Sequence, residues 1–217
     1  MTNIRRAIAT FSLVAILSTF VVSTAAADAF KDVLPGDQAY TAVEALVANG
    51  TIAKTADTFA PNAPLSRGEA AKYLVMEAGY ELLNPATAHF ADVAVGSTYF
   101  QYVETAWANG IVAGFPDGTF RAAATVQRDE FAVMAVKAFD FALVTPAAAT
   151  FTDVPVGNWA FTAVETAVEN GVIYGMTATV YAPASQITKG QGAMMTFRAT
   201  NAVATEEEEE TVDFDEN

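Results

Sequence analysis

Apolar positions recur along the chain at helical spacing, three times over. Tyr40, Val43 and Leu46/Val47 fall three and four residues apart, as do Phe100, Val103 and Ala106/Trp107, and Phe161, Val164 and Ala167/Val168. Each set predicts a short helix with one apolar face. An Asn-Gly pair follows at 49–50, 109–110 and 170–171. Glycine takes the left-handed conformation of a helix end without a Cβ clash, so Gly50, Gly110 and Gly171 are expected to stop these helices. A loop then runs through Ile52, Val112 or Ile173 to an aromatic, Phe59, Phe120 or Tyr181, expected to plug the loop onto the helices. A second helix is predicted to open at Ser66-Arg67-Gly68-Glu69, Gln127-Arg128-Asp129-Glu130 and Thr188-Lys189-Gly190-Gln191. The first and third fit a capping box; the middle one keeps its Glu behind a poorer cap residue.

These elements belong to a threefold repeat. Phe30-Lys31-Asp32-Val33 returns as Phe90-Ala91-Asp92-Val93 and Phe151-Thr152-Asp153-Val154, at spacings of 60 and 61 residues. Glu44, Glu104 and Glu165 follow in register, and so do the basic residues Arg67, Arg128 and Lys189. A unit of roughly 55 residues with two short helices cannot bury both apolar faces alone. The expected architecture is therefore all-α: three helix-loop-helix units, 28–87, 88–148 and 149–204, around a central helical bundle with pseudo-threefold symmetry. The first helices are expected at the centre, with the loops and second helices forming prongs.

The two ends read differently. Arg5 and Arg6 precede an uncharged run, Ala7 to Val22, and small residues up to Ala27. That is the three-part pattern of a secretory signal peptide over 1–27, cut before Asp28. At the other end, Glu206–Glu210 leads into Asp213, Asp215 and Glu216, and 205–217 reads as a disordered acidic tail.

Composition narrows the function. The net charge is −14, with 11 Lys plus Arg against 25 Asp plus Glu, which argues against a nucleic-acid partner. Cysteine is absent and there is one histidine, so thiol chemistry and His-rich zinc sites are excluded. No run after the leader is long enough for a membrane span. Asp32, Asp92 and Asp153 stand one per repeat, which separates them in space, so turn or cap hydrogen bonding suits them better than a metal. His89 reads as a solvent-facing linker residue and Trp107 as core. No cofactor is expected. The acids at symmetric positions form no catalytic pair in one cleft, so an enzyme is not expected.

Three tandem copies of this pattern resemble the S-layer homology family. The resemblance is carried by the Phe-x-Asp-Val openings, the Asn-Gly helix ends, and the loop Gly114-Phe115-Pro116-Asp117-Gly118-Thr119-Phe120. The segments beginning Leu65-Ser66-Arg67, Val126-Gln127-Arg128 and Ile187-Thr188-Lys189 look like the family's Ile-Thr-Arg-Ala-Glu signature. It implies a non-catalytic module that holds an exported protein at the cell envelope or cell-wall surface. The implied partner is an anionic, often pyruvylated, secondary cell-wall polysaccharide, or peptidoglycan-associated glycan, held in grooves between repeats. A helix N-terminus beside Arg or Lys suits such an anion, because free N–H groups and a cation converge on it. The candidate site is Arg67, Arg128, Lys189, Trp159, Gly114, Asp117 and Gly118, with Glu44, Glu104 and Glu165 as possible supporting acids. The same bases can instead pair with a neighbouring repeat's acid, and both readings stay open. The family's Trp before helix one is kept only at Trp159, and its glycine-rich loop is intact only in repeat two, so unequal grooves are expected. Arg128 is expected beside that intact loop. A module binding other envelope proteins is the alternative function, and a secreted hydrolase a weaker one.

Overall fold

A computed structural model describes residues 28–212, with side chains to 204; the leader assigned to 1–27 lies outside the described residues. Six α-helices follow in order: α1 (Tyr40–Ala48), α2 (Arg67–Glu77), α3 (Phe100–Ala108), α4 (Arg128–Ala138), α5 (Phe161–Glu169) and α6 (Lys189–Val212). The first helix of each repeat ends one residue before its Asn, and the Gly beyond has φ of +77°, +72° and +64° at Gly50, Gly110 and Gly171. The loop plugs are buried as expected. Phe59, Phe120 and Tyr181 each lie 5.4 Å, centroid to centroid, from the opening aromatic of their own repeat, Phe30, Phe90 or Phe151.

The repeats join in a ring. α2 packs on α3, α4 on α5, and α6 closes back on α1, so each second helix takes the first helix of the next repeat. The second helices also contact one another in all three pairings. This corrects the expected arrangement: the second helices form the central bundle, and the first helices pack outside it. The reason lies in side-chain size. Ala71, Ala132 and Ala193 are fully buried, and a Cβ on Gly192 of α6 would meet Leu65 at 2.5 Å. Small residues let backbones approach closely, and the first helices carry bulkier inward residues such as Leu46 and Phe100.

At the pseudo-axis three extended residues close a cycle of backbone hydrogen bonds. Leu65 N–H donates to Ile187 C=O (2.9 Å), Ile187 N–H to Val126 C=O (3.2 Å), and Val126 N–H to Leu65 C=O (3.1 Å). All three side chains are fully buried.

The third second-helix also runs further than expected. The backbone of α6 continues through the acidic run to Val212, leaving Asp213 to Asn217 outside the described residues. Ala202, Val203 and Ala204 carry no breaker, and glutamate itself is a good helix former.

Candidate functional site

The second helices begin against the loop of the next repeat, and this decides what their basic residues do. Arg67, Arg128 and Lys189 are each the first residue of their helix. Their N–H groups donate to Ala124, Ser185 and Ala63 C=O, at 2.8–2.9 Å. The next N–H groups, of Gly68, Asp129 and Gly190, donate to Ala122, Pro183 and Pro61 C=O. In α2 and α6 the third N–H goes to the cap hydroxyl, of Ser66 and Thr188. In α4 that of Glu130 goes to Asp129. The free N–H groups expected to greet an anion are therefore already taken by protein acceptors.

The side chains follow the same cyclic path. Arg67 Nε donates to Phe120 C=O (3.1 Å) and Nη1 to Glu130 Oε1 (2.8 Å). Arg128 Nε donates to Tyr181 C=O and Nη2 to Tyr174 C=O, both at 2.9 Å. Lys189 Nζ lies 3.4 Å from Glu69 Oε1 and 4.9 Å from the centre of the Phe59 ring. Each base thus reaches the plug of the following repeat, and Arg67 and Arg128 are only 7% and 6% exposed. Glu130 answers Arg67 and Glu69 answers Lys189; the equivalent position facing Arg128 is the neutral Gln191. Arg128 does not stand beside the Gly-Phe-Pro-Asp-Gly loop as expected. A helix-terminal side chain of that length spans the repeat boundary, so it is Arg67 that meets this loop, its guanidinium 4.9 Å from the Phe115 ring centre.

One groove brings several predicted residues together. A cavity of about 190 Å³ is lined by Arg67 from repeat one, Gly114, Glu130 and Lys137 from repeat two, and Trp159 from repeat three. Trp159 is 64% exposed. The Asp129 carboxyl has its proton affinity raised, by desolvation first and by the charge of Glu130. Gly114 has φ +72°, and a Cβ there would meet Phe90 Cε1 at 2.2 Å, so glycine is needed to close the loop on its own plug. Lys137 was missed in the sequence. The one signal was its place in the last turn of α4, where repeat one carries Met76 and repeat three Arg198. In repeat three that Arg198 is stacked on Tyr174, 4.7 Å from its ring centre, whereas repeat two has Ala113 in the place of Tyr174.

The other candidates lie elsewhere. Asp117 pairs with Arg121 (2.9 Å) and accepts from Thr119, whose hydroxyl, with Arg121, holds its carboxyl down at about 2. Asp117 and Gly118 form the exposed turn, outside the groove lining. Lys189 and Arg128 are outside it as well. Glu44, Glu104 and Glu165 do not support the bases. Each accepts the backbone N–H just before its own opening aromatic, from Ala29, His89 and Thr150, all at 2.8 Å. They sit on the first helix, where only the entering chain of their own repeat is within reach. Asp32, Asp92 and Asp153 accept two N–H groups each, from the plug and the residue after it: Phe59 and Ala60, Phe120 and Arg121, Tyr181 and Ala182. Trp107, expected in the core, is 40% exposed and stacked on His89, because α3 turns that position outward near its end.

A cyclic array of helical repeats, with a side groove offering cations and an exposed indole, is the build of a ligand-holding module rather than of a catalyst. Family comparison gives the class its name. The S-layer homology domain model matches residues 29–71, 89–132 and 150–193, more than half of the chain, and the chain belongs to this family. It is a family of non-catalytic, cell-wall-binding modules, which places the chain at the cell envelope. Three curated proteins are similar to it. A cellulosome-anchoring protein of Acetivibrio thermocellus is 31% identical over 54% of this chain and 26% of its own length. A surface-layer 125 kDa protein of Lysinibacillus sphaericus is 32% identical over 39% of this chain and 7% of its own. An endoglucanase of Bacillus sp. (strain KSM-635) is 30% identical over 51% and 11%. The chain thus spans about a quarter or less of each relative. Among the described residues, no helix is long and apolar enough to cross a membrane, and no cluster of metal-ligating side chains is found.

Proposed function

We propose that this chain anchors at the envelope by binding an anionic secondary cell-wall polysaccharide, such as a pyruvylated one, in the repeat-two groove. The observation that carries this reading is the convergence of Trp159, Lys137 and Arg67 from three repeats on one cavity. Arg67 is partly neutralised by Glu130, so the mobile charge for the ligand is Lys137, which is exposed and forms no ion pair among the described residues. The Trp159 face supplies apolar contact for a sugar ring, and a cation beside it supplies the charge-assisted bond.

Calorimetric titration of the full chain with purified anionic wall polysaccharide tests this. Trp159→Ala weakens binding by about tenfold or more, and Lys137→Ala by a smaller factor while flattening the salt dependence. Both side chains are exposed, so the melting temperature stays within about a degree or two. Unchanged affinity in folded Trp159→Ala removes the groove from the site. Retention by envelopes only when their proteins are present supports a protein partner instead.

A further inference from the structure

A second cavity, of about 420 Å³, lies between the segment linking repeats one and two and the end of α3. Leu83, Pro85, Thr87, His89, Glu104 and Trp107 line it, and it shares no residue with the groove. Two features mark it: the first is found in neither other repeat, and the second sets it apart from repeat three. The first is aromatic. Trp107 stands where repeats one and three carry Val47 and Val168, and His89 where they carry Ala29 and Thr150. The two exceptional residues meet, with ring centroids 3.6 Å apart and planes at 19°. The fold does not require this pair, since Ala with Val and Thr with Val serve elsewhere.

The second feature is a carboxylate. Glu104 is 3% exposed, and its Oε1 accepts the His89 N–H. In repeat three, Glu165 uses Oε1 for the Thr150 N–H and Oε2 for the Thr150 hydroxyl, at 2.7 Å. His89 replaces that threonine, and no described residue donates to Glu104 Oε2. No side-chain oxygen sealed from solvent among the described residues lacks a partner. Oε2 is therefore not sealed, and Glu104 is among the residues that line the cavity. A carboxylate oxygen in so enclosed a place calls for a donor.

We infer that this cavity is a second binding site, for one neutral hydroxylated pyranose ring. The C–H face of such a ring suits the negative face of an indole, and a ring hydroxyl supplies the donor Oε2 lacks. Thr87 and His89 also line the cavity and can meet further hydroxyls. The volume falls in the range of small-molecule sites. An anionic sugar is repelled by Glu104, which distinguishes this site from the groove. A cation is poorly served, because the rest of the wall is Leu83, Pro85 and Thr87 rather than an aromatic cage.

The test is saturation-transfer NMR and calorimetry on the full chain. The probes are methyl β-glucoside, methyl β-galactoside and N-acetylglucosamine as neutral rings, glucuronate as the anion and tetramethylammonium as the cation. At least one neutral probe is expected to bind one-to-one at millimolar concentration. Glu104→Gln keeps an acceptor for the His89 N–H and turns a donor into the cavity, so affinity falls about tenfold or more. The double variant His89→Ala/Trp107→Val carries repeat one's own pair and so keeps the fold; it also loses the neutral ring while retaining binding of anionic polysaccharide in the groove. Failure of every neutral probe, preference for tetramethylammonium or glucuronate, or unchanged binding in the double variant overturns the inference.

Discussion

At the scale of single residues, the most demanding task in each repeat falls to an aspartate. Ala60, Arg121 and Ala182, just after the plugs, hold φ of +59°, +59° and +60°, a region that side-chain-bearing residues rarely adopt. The two N–H groups bracketing that strained turn both donate to Asp32, Asp92 or Asp153, so the carboxylate holds the turn that seats the plug. For Asp32 and Asp153, burial alone raises the proton affinity, but the backbone donors outweigh it and leave both carboxyls below their ordinary 3.8. A carboxyl depressed on folding stabilises fully above its unfolded value, and that contribution is lost as pH falls through the folded one. The expected outcome is a melting temperature that drops as pH falls below about 4. Asp32→Asn/Asp153→Asn melts lower at pH 7, and the gap to the parent narrows as acid protonates the parent's folded carboxylates. Thermal melts followed by circular dichroism across that range check it, and a gap independent of pH assigns the effect to shape rather than charge.

At the scale of elements, the consequential link is the base that opens each second helix. Arg128 makes two bonds to carbonyls of the next repeat and lies 4.5 Å from the Tyr181 ring centre, while the Tyr181 hydroxyl donates back to Arg128 C=O at 2.8 Å. Arg128→Ala strands two carbonyl acceptors and opens space beside a fully buried ring. The expected cost is roughly 2–4 kcal/mol of stability. Arg128→Lys recovers little of it, because a point charge cannot span both carbonyls. Urea unfolding of the three proteins measures this, and polysaccharide affinity of the folded fraction is expected to stay near the parent's. Helix existence, helix ends and plugs were legible because local rules decide them: a three-to-four apolar spacing, an Asn-Gly stop, an aromatic in three equivalent loops. The direction of the bases was not legible. Nothing in Ser66-Arg67-Gly68-Glu69 shows that the first free N–H groups will be filled by Ala124 and Ala122 of another repeat. The same holds for the groove, whose Trp159 and Gly114 could be picked from motifs. Lys137 gave only a positional hint, and the meeting of all three depends on a cyclic packing that periodicity does not encode.

At the scale of the whole molecule, cyclic closure separates this fold from a linear array of repeats. In a linear array each unit touches only its sequence neighbours, and removing the last one costs one interface. Here repeat three contacts both others: α6 packs on α1 and α2, and α4 on α5. It also supplies Ile187 as both donor and acceptor in the axial cycle. A fragment ending at residue 148 leaves the N–H of Leu65 and the C=O of Val126 without partners. It also uncovers the faces of α1, α2 and α4 that α5 and α6 bury. Leu46, Leu74 and Ala132 on those helices are each fully buried in the ring. Helices of nine to eleven residues do not persist in water on propensity alone. The fragment 28–148 is therefore expected to lose cooperative unfolding altogether, rather than to melt a few degrees lower. Adding residues 149–217 in trans is expected to restore helicity and a sharp transition, since the ring can close across a chain break. Circular dichroism melts of the fragment, alone and mixed, decide the matter: a cooperative transition in 28–148 alone would show that two repeats suffice and that the closure is dispensable.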